Sequence, residues 1–420
     1  MKKVVFLISL LLTLSCTKEM NQNSNHPKNL SNSTTISPDE ALSNLNSLLV
    51  KLNGETKAAE IFNMSFLQPI GGENFRVSTK SYAVDIPDTL MYVVNFAEQK
   101  GFAVLAGDTR LSDRVYCITE NGNISADDFA SAFEFLTTQE TKAVAGEIDE
   151  TFFDIGEKFV PSIMLSSMLA DLQYGQIKDI ETKATPVATY GTVLLKTRWT
   201  QWAPFNTYTP IGSDGRHCPT GCVATACAQI MQYCQRPSNP VFDGVPCSWI
   251  EMGTVCTNTD IGGNLASASA KDQVARFLIH IGQKPLCYIR YASDGSYGYA
   301  DGVVRTLKNY GYSNVKKHLG FGASNQSKAS EMLRDKKPVY LDGADYRNGG
   351  GHAWVIDGEW NGYFHCNWGW NGNWDGYYAK HNYFPISSRE YFDSTDSGAA
   401  DSSVANSCYD WCFRLVTYNL

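Results

Sequence analysis

Apolar residues recur at helical spacing from position 41: Ala41, Leu42, Leu45, Leu48 and Leu49 follow directly on Ser37-Pro38-Asp39-Glu40. That tetrapeptide is a capping box with proline at the first helical position, so it predicts a helix start. The pattern then changes to an unbroken strand-like run, Leu90-Met91-Tyr92-Val93-Val94-Asn95-Phe96. A polar turn, Glu98-Gln99-Lys100-Gly101, and a return run, Phe102-Ala103-Val104-Leu105-Ala106, complete a predicted hairpin. A second helix begins near Ser125 with Phe129, Ala132, Phe133 and Leu136 on one face, and helical patterning continues to about Leu172. This half presents no reactive constellation and reads as a small α+β unit.

Periodicity is lost over residues 173–190 (QYGQIKDIETKATPVATY), a polar stretch with Lys178, Lys183 and Pro186 that reads as an exposed linker. A boundary is placed near residue 188. Beyond it tryptophan, glycine and cysteine become frequent. A helix is predicted from Cys222, and others over Gln273–Gly282, Ala300–Tyr310 and Ser327–Asp335. Short strands follow over Pro338–Asp342, His352–Gly358, Tyr363–Asn367 and Gly376–Lys380, with a serine- and aspartate-rich loop over Ser387–Ser407. Helices first and strands later predict an α+β class.

The 420 residues are 43% hydrophobic and 19% charged, with a net charge of −8. With no basic surplus or Lys/Arg run, nucleic acid is not an expected partner. The chain opens MKKVVFLISLLLTLSC, two lysines before an apolar run of about eleven residues, too short for a spanning helix and typical of an export signal. Leu-Thr-Leu-Ser-Cys16 resembles a bacterial lipobox, with Thr13 where leucine is usual. Residues 1–16 are read as a signal with a lipid anchor at Cys16, and residues 17–35 as a flexible tether. The expected location is a cell-surface or outer-membrane lipoprotein, or a secreted or periplasmic protein. Export permits disulfides. Of 12 cysteines, 11 remain without Cys16, an odd number that leaves at least one unpaired within the chain.

Four of these fall in Cys218-Pro-Thr-Gly-Cys222-Val-Ala-Thr-Ala-Cys227-Ala-Gln-Ile-Met-Gln-Tyr-Cys234. Cys222 opens the helix, where free backbone N–H groups and the positive dipole end favour a thiolate. Cys227 and Cys234 lie inside the helix as small hydrophobes. Cys218-x3-Cys222 and Cys408-x3-Cys412 lack the two-residue spacing common in structural zinc sites, so disulfides are favoured over metal there and no metal is expected.

A thiolate needs a base. His352 follows Asn348-Gly349-Gly350-Gly351 and begins a predicted strand, placing it at a sheet edge behind a loop whose glycines let backbone approach a peptide. Asn367, in Asn367-Trp368-Gly369-Trp370, can accept the imidazole N–H while an adjacent indole excludes water. Gln201, in Arg198-Trp199-Thr200-Gln201-Trp202, can donate to a developing oxyanion together with the Cys222 backbone N–H.

The order Gln, Cys, His, Asn is similar to that of papain-like cysteine peptidases. Gly221-Cys222-Val223-Ala224-Thr225-Ala226, Gly351-His352-Ala353 with Val355-Ile356-Asp357-Gly358, Asn367-Trp368-Gly369-Trp370 and Trp199-x-Gln201 together resemble the streptopain branch. The hairpin around Asn95-Phe96 and Lys100-Gly101-Phe102 resembles that family's inhibitory prodomain. The resemblance covers nearly the whole chain after the tether. It implies a two-subdomain papain-like catalytic fold, a helical part plus an antiparallel sheet or barrel, over residues 191–420. It also implies a small α+β prodomain over 36–172 and an activation linker over 173–190. Cys222 is implied as nucleophile, His352 as general base and Gln201 as oxyanion donor. Asn367 or Trp368 would support the histidine, and Gly350, Gly351 and Trp370 would line the substrate cleft. The implied function is peptide-bond hydrolysis by a zymogen, with protein or peptide substrates, the prodomain as inhibitor in cis, and no cofactor. Streptopain-like enzymes are cysteine-poor, which this chain is not. Two alternatives remain: a cell-wall amidase of the same superfamily, and a surface lipoprotein that binds peptides without cleaving them.

Overall fold

The capping box at Ser37 does start a helix. Ser37 Oγ accepts the Glu40 backbone N–H at 3.2 Å, and α1 runs Pro38–Glu55 with Ala41, Leu45, Leu48 and Leu49 turned inward. In the computed structural model, residues 33–55, 64–75, 85–138, 153–176, 192–345, 350–383 and 411–420 are described, and Thr34–Leu420 forms one compact unit. The leader, residues 17–32 of the tether and residues 177–190 of the linker lie outside the described residues.

After α1 come strands β1 (Met64–Ile70), β2 (Met91–Phe96), β3 (Phe102–Ala106) and β4 (Val115–Thr119), then helix α2 (Ala126–Thr138). The hairpin predicted at 90–106 is β2–β3, paired antiparallel in register Met91↔Ala106 to Asn95↔Phe102. A two-residue strand, β5 (Phe153–Asp154), precedes helix α3 (Phe159–Tyr174). Phe159, Val160, Ile163, Met164, Leu165 and Met168 are all fully buried, and Ser162, Ser166, Ser167 and Asp171 are buried with them, so α3 is an internal helix.

The second half begins its regular structure with α4 (Cys222–Cys234), followed by the small hairpin β6 (Val241–Phe242) and β7 (Val245–Pro246) and the short α5 (Trp249–Met252). Then come α6 (Ala268–Gly282), α7 (Ala300–Asn309), β8 (Ser313–Leu319), α8 (Ala323–Arg334), β9 (Val339–Asp345), β10 (Gly350–Trp360), β11 (Tyr363–Asn367), β12 (Gly376–Ala379) and β13 (Trp411–Asn419). The α+β class holds. Helix α6 starts at Ala268, ahead of the expected Gln273, because Ser267 caps it through the Ala270 N–H at 3.0 Å.

One sheet crosses both halves, in the order β1-β2-β3-β4-β12-β11-β10-β9-β13-β8, with β5 parallel to the start of β10. The junction is β4 against β12, Ile118 facing Tyr377. Helix α4 packs across β10 and β9. The expectation that β10 begins at His352, at a sheet edge, is corrected. It begins at Gly350 and lies between β9 and β11, and His352 is completely buried opposite Gly343.

Candidate active site

Gly221, at φ 87°, gives the chain the left-handed turn that launches α4 at Cys222, and a Cβ there would come within 3.2 Å of the Ser296 carbonyl. The nucleophile candidate therefore stands at the first turn of the helix, as the sequence predicts. Its protonation does not follow the prediction. The thiol is pushed well above its ordinary pKa, first by burial and then by the nearby Asp154 carboxylate. Those two effects outweigh the helix N-terminus, so the expected thiolate is a thiol in this structure.

Asp154 is the residue that sequence reasoning missed. It ends β5, whose Phe153 and Asp154 pair with Gly350 and Gly351 of β10, and the Ile155 N–H donates to the Gly351 carbonyl at 3.0 Å. A segment of the first half thus occupies the glycine edge assigned to substrate. Gly156, at φ 58°, lets the chain turn from there into α3, and its N–H donates to Asp154 Oδ1 at 2.9 Å. Asp154 Oδ1 also lies 2.9 Å from His352 Nδ1, while Gln201 Nε2 donates to Asp154 Oδ2 at 2.6 Å. One carboxylate engages both the candidate base and the candidate oxyanion donor. Ligating atoms of Asp154, Cys222 and His352 all lie within 4.8 Å of one another.

The other nitrogen of His352, Nε2, is 2.8 Å from the Trp368 carbonyl, which can only accept. With a carbonyl at one nitrogen and a carboxylate at the other, both ring nitrogens face acceptors, and Asp154 is placed as the partner of a protonated ring. Burial alone would raise the Asp154 pKa, but the His352 charge, its hydrogen bond, Gln201 and the Gly156 N–H hold it below the ordinary value.

Asn367 does not touch His352 here. Its Nδ2 donates to the Thr197 carbonyl and its Oδ1 accepts from Gln229 Nε2, both at 2.9 Å. Gln229 Oε1 in turn accepts from Thr197 Oγ1 at 3.0 Å. Asn367 braces α4 against the segment that carries Gln201, and the support to the imidazole comes from the Trp368 backbone. The Trp368 N–H donates to Asp375 Oδ1 at 2.9 Å, which fixes that carbonyl. The ring of Trp370 lies over His352 with centroids 4.6 Å apart, and Phe159 of α3 covers the imidazole from the first half at 5.8 Å.

His365 is a structural ion. It is buried between Asp357 Oδ1 at 2.6 Å and Glu120 Oε1 at 3.3 Å. Burial favours its neutral form, but the two carboxylates raise its pKa to about 10. The thiols of Cys218, Cys222, Cys227 and Cys234 are free, and Cys408 lies outside the described residues, so the expected preference for disulfides in this cluster fails at Cys218 and Cys222. No helix among the described residues is long and apolar enough to cross a membrane.

Residues 199–378 match the model of the Peptidase C10 family. The thiol protease/hemagglutinin PrtT of Porphyromonas gingivalis is 26% identical over 309 residues, 69% of this chain and 34% of the relative. The chain thus spans about a third of PrtT. Streptopain of Streptococcus pyogenes serotype M1 is 25% identical over 335 residues, 71% of this chain and 76% of the relative. The fold is similar to that of a Prevotella intermedia prointerpain A fragment, with a TM-score of 0.53, 20% identity, and coverage of 83% of this chain and 98% of that one. These matches agree with the helix-start cysteine, the buried histidine and the Gln201 segment: over residues 199–378 the chain is similar to the streptopain-like cysteine peptidases of family C10.

Proposed function

We propose that the chain is an exported cysteine endopeptidase made as a latent precursor, in which residues 36–172 act as prodomain and Asp154 as the latch. The observation that carries this reading is the single Asp154 carboxylate bonded to both His352 and Gln201 beside the Cys222 thiol. Cleavage within 173–190 would release the first half, and with it β5, Phe159 and the carboxylate. His352 would then lose its anionic partner, and the Cys222 thiolate would take that place, formed at the helix N-terminus. Cys222 attacks the scissile carbonyl, while Gln201 Nε2 and the Cys222 N–H receive the oxyanion. His352 gives its proton to the leaving amine, and water activated by the same ring then hydrolyses the acyl-enzyme. This catalysis needs no metal or organic cofactor. Residues 1–16 supply export, with Cys16 as lipid attachment point, so the membrane is reached only through that anchor.

The test is to incubate purified precursor, read the N-termini of the products, and assay casein against purified peptidoglycan. New N-termini within 173–190 with casein hydrolysis are expected. Full activity from an uncleaved chain, or activity on peptidoglycan alone, would overturn the reading.

Two further results are expected. In the isolated mature enzyme, Gln201→Ala lowers kcat by about 10²- to 10³-fold, the ~2.7–4 kcal/mol of one oxyanion donor, with KM little changed. Initial rates on a fluorogenic peptide measure it. The second concerns acid. Because the latched Asp154 has a depressed pKa, its contribution is complete above the ordinary carboxyl value, roughly 3.9, and is lost as the pH falls through the latched value. A brief exposure below that range, followed by return to neutral pH, should speed precursor loss on a gel. An equal acid step in Asp154→Asn would place the sensitivity at another group.

A further inference from the structure

The same three groups have a second property. Asp154, Cys222 and His352 offer an oxygen, a sulfur and a nitrogen, all within 4.8 Å of one another, and the His352 and Asp154 side chains are 0% and 7% exposed. A zinc ion with bonds of about 2.0–2.3 Å places its ligand atoms about 3.3–3.6 Å apart in a tetrahedron. Small side-chain shifts reach that spacing, with the His352–Asp154 gap opening slightly from 2.9 Å.

We propose that the latent precursor binds one zinc ion, or a similar borderline-soft divalent cation, through Cys222 Sγ, His352 Nδ1 and an Asp154 carboxylate oxygen, with water in the fourth position. The inference rests on the proposed function and adds a regulator of its latent state.

Three features of the site support it. The first is charge. With the ion bound and the Cys222 proton released, Zn²⁺, a carboxylate, a thiolate and a neutral imidazole sum to zero, so the buried site holds the ion without net charge.

The second is the outer layer of contacts. A metal-bound imidazole ordinarily donates its other N–H to a carbonyl or carboxylate, and His352 Nε2 already donates to the Trp368 carbonyl at 2.8 Å. The carboxylate is likewise oriented, by Gln201 Nε2 at 2.6 Å and the Gly156 N–H at 2.9 Å. The third is ligand type. Thiolate with imidazole selects zinc over magnesium or calcium, which prefer oxygen alone.

The ligands come from both halves, so the ion binds only when the halves are assembled. At an ion concentration a hundredfold above Kd, the open, self-processing fraction falls about 100-fold. Zinc would hold the precursor latent, and a chelator would release it.

The test titrates metal-free full-length precursor with Co(II), which reports thiolate ligation by a near-ultraviolet charge-transfer band, and follows processing with and without chelator. A single ion per chain with that band is expected. The band should vanish in Cys222→Ser, and affinity should fall by more than about tenfold in Asp154→Asn, already the scale for losing an outer-layer partner. Near-ultraviolet circular dichroism confirms that both near-isosteric variants are folded. Absence of the band, or a band that Asp154→Asn leaves unchanged, overturns the proposal. A precursor that binds no Co(II) yet matures into an active peptidase would remove the metal site and leave the functional reading intact. One that binds Co(II) here but never gains peptidase activity would do the reverse.

Discussion

A Cys222→Ala precursor stays at full length and shows no peptidase activity. The size of the loss follows from the role assigned to the sulfur. If Cys222 forms the acyl bond, no neighbouring group replaces it. Cys218, the nearest cysteine in sequence, precedes the helix, and Cys227 is fully buried inside it. Removing a nucleophile leaves only binding and oxyanion stabilisation, so kcat falls by roughly 10⁴-fold or more. The fold should survive, because the change deletes one sulfur atom at the first turn of α4 and leaves the Gly221 turn and the helix in place. Active wild-type enzyme added in trans should still cut the variant precursor within 173–190, which separates a dead nucleophile from a protected linker. A mature Cys222→Ala form that turns over substrate near the parental rate would move the nucleophile elsewhere.

What could be read from the sequence follows how local each determinant is. The β2–β3 hairpin was legible because its strands, turn and register lie within residues 90–106. Cys222 was legible because a helix start is a local signal, and β11 is found at Tyr363–Asn367 as expected. The pairings that build the large sheet are not local. β13 lies beside β9, and β4 meets β12 with Cys117 opposite Tyr378, contacts no window of sequence can show. The edge position expected for His352 failed for that reason: its strand reads the same whether or not β9 and β11 flank it.

The site shows the same division. Gln201, Cys222 and His352 were legible as types in order, and the structure brings them together around one point. The protonation of Cys222 was not legible, because it depends on burial by the other half and on a carboxylate. Asp154 carried only a weak local signal, an Asp-x-Gly turn before an apolar helix. Its significance arises when β5 docks on β10, with Asp154 and His352 198 positions apart in sequence. The neighbours of Asn367 point it to the imidazole, but Gln229, on a helix far away in sequence, takes its carbonyl.

Asp154→Asn should convert the latent precursor into a reactive one. In the parent, Asp154 Oδ1 lies 2.9 Å from His352 Nδ1, and the same carboxylate disfavours ionisation of Cys222. Asparagine keeps the shape but removes the charge. Breaking one partner of a buried ion pair costs about 3–5 kcal/mol when nothing replaces it. Here something does: Cys222 can ionise and pair with a protonated His352, the arrangement proposed above for the released peptidase. The lost stabilisation of the latched state therefore reappears as nucleophile activation, and at about 1.4 kcal/mol per decade the lower bound corresponds to roughly 100-fold. Measured in chelator, alkylation of Cys222 by iodoacetamide and first-order loss of precursor should both accelerate by about that factor. The two readouts discriminate between causes. A general loosening of the fold would speed processing and lower the melting temperature with alkylation spread over Cys218, Cys227 and Cys234 as well. Loss of the latch alone confines the modification to Cys222, as read by mass spectrometry of the labelled peptide. An Asp154→Asn precursor as inert to iodoacetamide as the parent would show that burial under β5 and Phe159, with no help from the carboxylate, is sufficient to silence the thiol.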